Sequence, residues 1–292
     1  MPIEQQVMSN VRAERVRRVA ELANRKHREK NSQFLIEGPQ AVREALTWQP
    51  QIVRDVYVSA DGDEPDSPIS TATLGKLAAQ AMRENIYVHK MTRDVEHKMS
   101  KDAQGIIAVA DLRACRERLE RVPQTPHPFI AAFWQVRDPG NAGTVIRSAD
   151  AAGCDMVILV GDCVDVFNPK VIRSTTGSLF HLPVLTLSED EFFELCHEKK
   201  TSIIAADVYG TQKLPPVSLP ELERDRQLLA GGKAVLFGNE ARGLETGLLD
   251  ECDMVVSIPI YGKAESLNLA TSASVMLMSI AMSSRVETME SR

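Results

Sequence analysis

No apolar run in the 292-residue chain approaches the roughly 18 residues of a membrane span, and its first residues lack the apolar core of a secretory signal, so the expected compartment is the cytoplasm. The five cysteines, Cys115, Cys154, Cys163, Cys196 and Cys252, never form a C-x-x-C pair, and the six histidines have no metal-ligand spacing. Free thiols and no metal are expected. Phosphate-loop signatures are missing too, since neither G-x-x-x-x-G-K-[ST] nor G-x-G-x-x-G occurs, which turns the reading away from ATP and NAD. There is no internal repeat.

What is present describes a globular protein: 43% hydrophobic and 25% charged residues rule out disorder, and the length suggests two domains, each able to bury a core. A net charge of -6 argues against a simple polyanion binder, but it conceals an asymmetry. Residues 1–127 carry 20 Lys and Arg against 18 Asp and Glu, a balance of +2, whereas 128–292 carry 14 against 22, a balance of -8. Within the first half, residues 1–33 hold eight basic and four acidic residues, so the positive charge gathers at the N-terminus. A cationic cluster on an otherwise acidic protein is a nucleic-acid footprint or, read more plainly, a solvated helix face.

Val11 to Lys30 reads as one amphipathic helix, with Val16, Val19, Ala20 and Ala23 on one stripe and Arg17, Glu21, Arg25 and Arg28 on another. Beyond it the pattern alternates: strands at 34–36, 52–58, 86–88 and 105–110, and helices at 39–46, 71–84 and 93–99. This is the rhythm of a small α/β sandwich over residues 1–112. Residues 113–127 shift to charge and then to Pro123 and Pro126, as an interdomain linker would. From 128 to 292 strands are expected at 129–134, 155–160, 202–206 and 234–237, with helices at 142–152, 168–176 and 189–199. Asp155 to Val160 is nearly continuous apolar sequence, the mark of a buried parallel strand.

The stretch from Ile258 to Met282 organises the second half. Val255 to Ile258 reads as the end of a buried strand, Pro259 cannot donate to a ladder, and Gly262 is expected to permit a backbone that a side chain would block. A helix capped by Ser266 should follow, apolar nearly all round through Leu267, Leu269, Ala270, Ala273, Val275, Met276, Leu277, Ile280 and Met282. At the junction stand Glu265, Ser266 and Asn268, at the C-terminal sheet edge where open α/β sheets place their ligands.

Two further loops, Asp138-Pro-Gly-Asn-Ala-Gly143 and Gly238-Asn-Glu-Ala-Arg-Gly243, also follow expected strands, so all three can meet at one edge. Singly, each is ordinary turn chemistry. Arg147 by itself reads as a solvated arginine, Glu240 and Ser266 as helix caps, and His181 as a packing residue.

Taken together, Asn141-Ala-Gly-Thr-Val-Ile-Arg147, Gly238-Asn-Glu-Ala-Arg-Gly-Leu244 and Ile258-Pro-Ile-Tyr-Gly-Lys-Ala-Glu-Ser-Leu-Asn268 resemble, in order and spacing, the three motifs of the SpoU (TrmH-like) RNA ribose 2'-O-methyltransferases of the SPOUT superfamily. The resemblance spans about 129–282, and Asn168 to Arg173 and Gly177 to Val184 share it. Phe34-Leu-Ile-Glu-Gly-Pro-Gln-Ala-Val-Arg43 is similar to the ribosomal-protein-like RNA-binding domain that precedes the catalytic one in rRNA-directed members. Thr271 and Ser272 depart from the family, which commonly has small apolar residues there.

The resemblance implies an α/β fold whose catalytic domain carries a deep trefoil knot, formed by the loops at 238–244 and 258–268. It implies S-adenosylmethionine as methyl donor, held near Gly238, Asn239, Gly243, Ile258, Pro259, Gly262, Leu267 and Asn268. It also implies a homodimer in which the last helix packs across the interface. The reaction is methylation of a ribose 2'-hydroxyl in structured RNA, with 23S rRNA the first expectation and tRNA, or a non-catalytic RNA-binding dimer, the alternatives. The hydroxyl must lose a proton, and no well-placed histidine or aspartate is evident. Family analogy gives the activating role to Arg147, assisted by Asn141, with Glu240, Ser266 and Asn268 ordering the site. The expected RNA-facing cations are Arg12, Arg15, Arg17, Arg18, Arg25, Lys26, Arg28 and Arg173.

Overall fold

A computed structural model describes residues 3–225 and 229–284 and divides the chain into two units. The first takes the chain to Arg118 and also Asp165–His181; the second takes Leu119–Val164 and the chain from Leu182 onward. In chain order the first unit runs β1 (Ile3–Met8), α1 (Glu14–Glu21), α2 (Arg25–Asn31), β2 (Gln33–Glu37), α3 (Pro39–Trp48), β3 (Val53–Ser59), α4 (Ala72–Arg83), β4 (Tyr87–Met91), α5 (Arg93–Met99), β5 (Ile106–Asp111) and α6 (Leu112–Leu119). Thr71 and Thr92 start α4 and α5 by accepting from the backbone N–H groups of Leu74 and Val95, which satisfies donors a helix start leaves open. The sheet is mixed, in the order β1-β4-β3-β5-β2. Val16, Val19, Leu35, Tyr57, Met91, Val95 and Ile107 form a core on one of its faces.

The expected single helix over 11–30 is two helices. Asn24 leaves helical geometry (φ -94°, ψ 132°), and its side-chain oxygen accepts from Lys26 N at 2.9 Å, so it caps a second helix in place of continuing the first. The expected linker also begins late, because α6 occupies 112–119 with Cys115 and Leu119 buried.

The rest of the chain runs β6 (Phe129–Trp134), α7 (Pro139–Ala151), β7 (Met156–Val160), α8 (Pro169–Ser174), β8 (Val184–Leu187), α9 (Glu189–Glu198), β9 (Ser202–Ala206), β10 (Val217–Ser218), α10 (Leu219–Leu222), β11 (Lys233–Phe237), α12 (Thr246–Asp250), β12 (Met254–Ser257) and α13 (Leu269–Ser284). The second unit's sheet is parallel throughout, in the order β10-β12-β9-β11-β6-β7-β8. Its strands β6, β7 and β11 are buried on both faces, and Ile130, Trp134, Ile158, Ile203 and Leu236 share one core cluster with Phe192 of α9, which explains the unbroken apolar runs. From β6 the chain moves outward through β7 to β8, then crosses to β9 and β11 on the other side. The β6–β11 boundary is therefore a topological switch point, where strand-end loops diverge and leave a crevice. At that end α13 packs against α7, with Ser148 Oγ and Ser274 Oγ 2.7 Å apart.

Asp165–His181, sequence neighbours of β7, belong to the first unit. Asn168 caps α8, Gln49 donates to the Phe180 carbonyl at 2.9 Å, and Phe34 and Phe167 meet edge to face with centroids 5.0 Å apart. Arg28 anchors the segment: it is 3% exposed and donates to the carbonyls of Leu22 (3.0 Å) and Ala23 (2.8 Å) and to Asp165 Oδ2 (2.5 Å). Removing it strands a partly screened carboxylate and two carbonyls. Arg28→Ala should cost roughly 2–3 kcal/mol in urea unfolding. A stable variant with weakened RNA affinity would return Arg28 to the RNA-facing set.

Candidate active site

Four loops leave the C-terminal ends of β6, β9, β11 and β12, and the last three line a cleft of about 540 Å³ in the second unit. Its lining includes Asp207, Gly238, Asn239, Glu240, Gly243, Ile258, Glu265, Ser266, Leu267 and Asn268. The loop after β11 folds back on itself through two bonds, Asn239 N to Gly243 O (3.1 Å) and Gly243 N to Asn239 O (2.9 Å). Gly243 makes the turn with φ +67°. At Gly238 a Cβ would lie 2.4 Å from the Gly243 carbonyl carbon and 2.6 Å from Leu244 N, so two stretches of backbone touch where any side chain would part them. Asn239 fastens this loop to the end of β6 by donating to Gln135 O at 2.8 Å, and its own oxygen accepts from Ala241 N at 2.9 Å.

A chain of side-chain bonds joins the three sequence motifs. Asn141 Nδ2 donates to Glu240 Oε1 at 2.9 Å, Asn268 Nδ2 donates to Asn141 Oδ1 at 3.3 Å, and Asn268 Oδ1 accepts from Ala270 N at 2.9 Å. The direction follows from one group. An ionised carboxylate can only accept, so Asn141 must turn its amide nitrogen to Glu240, which leaves its oxygen for Asn268 and the Asn268 oxygen for the start of α13.

Two expectations change here, the helix cap and the backbone role of Gly262. Asn268, not Ser266, caps α13, and Ser266 lies exposed in the cleft wall. Gly262 has an ordinary φ and nothing within 4 Å of a built Cβ, so no side chain is excluded there, and neither it nor Pro259 lines the cleft. Asn141 and Arg147 both lie outside the lining on α7, and Arg147 is exposed six positions and about 9 Å along the helix axis from Asn141. Sequence reasoning missed Asp207, whose Oδ1 accepts from Tyr209 N and Gly210 N, both at 2.8 Å. Its position directly after a buried strand, like the other three loops, was the available signal.

Among the expected RNA-facing cations, Arg12, Arg17, Arg25 and Lys26 are exposed. Arg18 pairs with Glu14, and Arg15 Nη1 lies 3.1 Å and 3.2 Å from the two ring nitrogens of His89. Arg28 is buried as described. Arg173 is held between Glu37 (2.8 Å) and Asp102 (2.9 Å), which neutralises it inside the first unit.

Burial pushes the thiols of Cys115, Cys196 and Cys252 up to about 12 and that of Cys163, near the cleft loops, up to about 11. None of these four offers a thiolate nucleophile at neutral pH. Among the described residues no group of three or more His, Cys, Asp or Glu could hold a metal, and no helix is long and apolar enough to cross a membrane.

Fold and site thus define a parallel α/β unit with a cleft at the C-terminal ends of β9, β11 and β12. Residues 128–278 match the SpoU rRNA Methylase family and residues 13–108 the MRM3-like substrate binding domain. The chain belongs to the SpoU rRNA methylase family. It is 31% identical over 273 residues to the 23S rRNA (guanosine(2553)-2'-O)-methyltransferase RlmP of Bacillus subtilis (strain 168), covering 92% of this chain and 97% of the relative. A crystal structure of an RNA 2'-O ribose methyltransferase superposes with TM-score 0.77 at 29% identity, over 96% of this chain and 99% of that one. The SpoU methyltransferase AviRb from Streptomyces viridochromogenes, in complex with the cofactor AdoMet, gives TM-score 0.76 at 26% identity, over 94% and 100%.

Proposed function

We propose that this protein methylates a ribose 2'-hydroxyl of 23S rRNA with S-adenosylmethionine. The observation that carries the reading is the Glu240–Asn141–Asn268 chain, which ties the three motif loops into one wall beside the cleft. The cleft suits the donor: its volume falls within the range of small-molecule sites, Gly238 and Gly243 let backbone approach closely, and the carboxylates of Asp207, Glu240 and Glu265 outnumber Arg242, the one cation among the described residues of the lining, a balance that favours a cationic ligand. The residues that would hold it are Gly238, Asn239, Gly243, Ile258, Leu267 and Asn268. When bound, S-adenosylmethionine supplies a sulfonium methyl for in-line attack by the ribose hydroxyl.

The chain's own work is positioning and charge. Asn141, Glu240 and Asn268 fix the loops, Ser266 presents a hydroxyl in the wall, and Arg147 stabilises the oxygen that attacks. The loops at 238–244 and 258–268 form the trefoil knot of the superfamily. The protein works as a homodimer built on α13, whose Val275 and Met282 are 40% and 54% exposed apolar side chains in the single chain. The first unit, a ribosomal-protein-like RNA-binding domain, holds the substrate, the second holds the cofactor, and the enzyme acts in the cytoplasm.

The direct test is transfer of labelled methyl from S-adenosylmethionine to ribosomal RNA and to tRNA. Incorporation into 23S rRNA alone is expected; incorporation into tRNA alone would replace the substrate, and none into either, by a protein that binds the cofactor, would defeat the proposal.

RNA affinity should come from the N-terminal cations, because the other half of the sequence carries the acidic excess. Changing Arg12, Arg17, Arg25 and Lys26 together to glutamine should weaken binding and reduce the slope of log affinity against log salt by up to about 3. An unchanged slope would mark the cluster as a solvated helix face.

A further inference from the structure

Away from the cofactor cleft, three aromatic rings of the first unit run in a row from core to solvent. Tyr57 on β3, 2% exposed, stacks on His89 of β4 with centroids 4.9 Å apart and planes 22° from parallel. His89, 1% exposed, stacks in turn on Tyr87 of the same strand at 5.3 Å and 30°. Tyr87 ends the row and is 51% exposed. The row borders a groove of about 580 Å³ lined by Arg15, Gln33, Arg54, Asp55, Tyr87 and His89.

The groups around it are held in place. Asp55 Oδ1 lies 2.9 Å from His89 Nε2, Arg15 sits against the same ring, and Arg54 pairs with Asp111 at 2.5 Å while its side chain stays 58% exposed. A buried imidazole clamped on its edges fixes the plane of the tyrosine stacked on it. The combination is a flat π surface at the rim, guanidinium groups beside it, and a carboxylate and an amide within the same groove.

We infer that this groove is a dock for one unpaired nucleobase of the RNA substrate, stacked on Tyr87, with Arg54 and Arg15 facing the flanking phosphates and Asp55 and Gln33 at the base edge. Stacking requires a base whose face is free, and a duplex offers none within its length, so the occupant is a single-stranded, looped or bulged nucleotide. The cations favour a polyanion over an apolar peptide, and the aromatic face gives a nucleobase what a bare phosphate cannot use. The inference rests on the reading of RNA as substrate, but it concerns residues that no part of the methyl-transfer site uses.

The test uses the full chain and labelled single-stranded RNA of roughly ten nucleotides, in the range of single-strand site sizes. A duplex of the same composition and uridine monophosphate are the comparison ligands. Tyr87→Ala should weaken single-strand binding by at least about fivefold, the lower end for loss of one base–aromatic stack, and Tyr87→Trp should restore it. Duplex affinity should change less than twofold. Because Tyr87 is half exposed, both variants should keep the wild-type melting temperature within a few degrees, and S-adenosylmethionine affinity measured in parallel should stay unchanged. Equal binding by Tyr87→Ala and wild type, failure of tryptophan to restore it, or an equal loss on duplex would overturn the dock. Wild-type affinity for uridine monophosphate equal to that for the oligonucleotide would overturn the assignment to RNA. Loss of methyl transfer to every RNA, with the stacking effect intact, would instead count against the proposed function and leave the groove standing.

Discussion

Gly238→Ala is expected to abolish S-adenosylmethionine binding, while Gly262→Ala, in the neighbouring motif, leaves it within about twofold. The two glycines look alike in sequence, each following a buried strand, but their surroundings differ. A methyl group on Gly238 would meet the Gly243 carbonyl carbon at 2.4 Å, Leu244 N at 2.6 Å and the Gly243 oxygen at 2.7 Å. All three are backbone atoms, so no rotamer change relieves the contact and the crossing segments must separate. That separation breaks the paired Asn239–Gly243 bonds and moves Glu240 away from Asn141. Overpacking of this kind costs roughly 1–3 kcal/mol, less than a whole domain's stability, so the protein should fold and fail to bind. Calorimetry on the two variants gives the answer. Wild-type affinity in Gly238→Ala, or an equal loss in Gly262→Ala, would mean that the backbone crossing does not shape the cofactor cleft.

Arg147→Ala should fold and bind the cofactor like wild type yet lose methyl transfer by at least about a hundredfold, the scale of losing one charge-stabilising donor. The side chain is exposed and outside the cleft lining, so the cleft wall does not depend on it. The proposed role is electrostatic, because a guanidinium is an obligate donor and a poor candidate for a base. Arg147→Lys separates the two mechanisms. A lysine retains charge but not the planar fork that can hold phosphate and hydroxyl oxygens together, so weak, nearly pH-independent activity is expected. A base mechanism instead requires the lysine variant's rate to climb as its amine deprotonates. Single-turnover rates from about pH 6 to 10 bracket a perturbed lysine and distinguish the two. Turnover by Arg147→Ala at the wild-type rate would remove the residue from the mechanism.

What the sequence made legible was local. The helices expected at 71–84 and 93–99, the buried strand expected at 155–160 and the three motif loops follow from periodicity, burial and turn chemistry, and the elements lie within a residue of where those rules put them. Misses occurred where tertiary pairing decides. The strand Ile3–Met8 is half polar in sequence and exists through its pairing with β4, and Val217–Ser218 is a strand of two residues at a sheet edge. Arg28 was misread for a different reason: the helix break at Asn24 resets the helical phase, so a residue that continues the polar stripe of α1 turns inward on α2. The wall of the cleft was legible in its residue types but not in its bonding. Which glycine is sterically required depends on how the loop after β11 doubles back from Gly238 to Leu244, and the bonding of the wall depends on atoms brought together from positions over a hundred residues apart, such as Asn141 and Asn268.

The excursion of Asp165–His181 makes the protein a poor subject for dissection by truncation. Its two units exchange the chain after Arg118, after Val164 and after His181, so no single peptide bond separates them. A gene fragment beginning at residue 128 would carry Phe167, Val171, Ile172, Leu179 and Phe180 without the first unit that buries them. Such a fragment is primed to aggregate for a reason unrelated to catalysis, and its failure would say nothing about where the cofactor binds. The modules were joined by weaving rather than end to end, and their boundary is a property of the folded molecule, not of the reading frame.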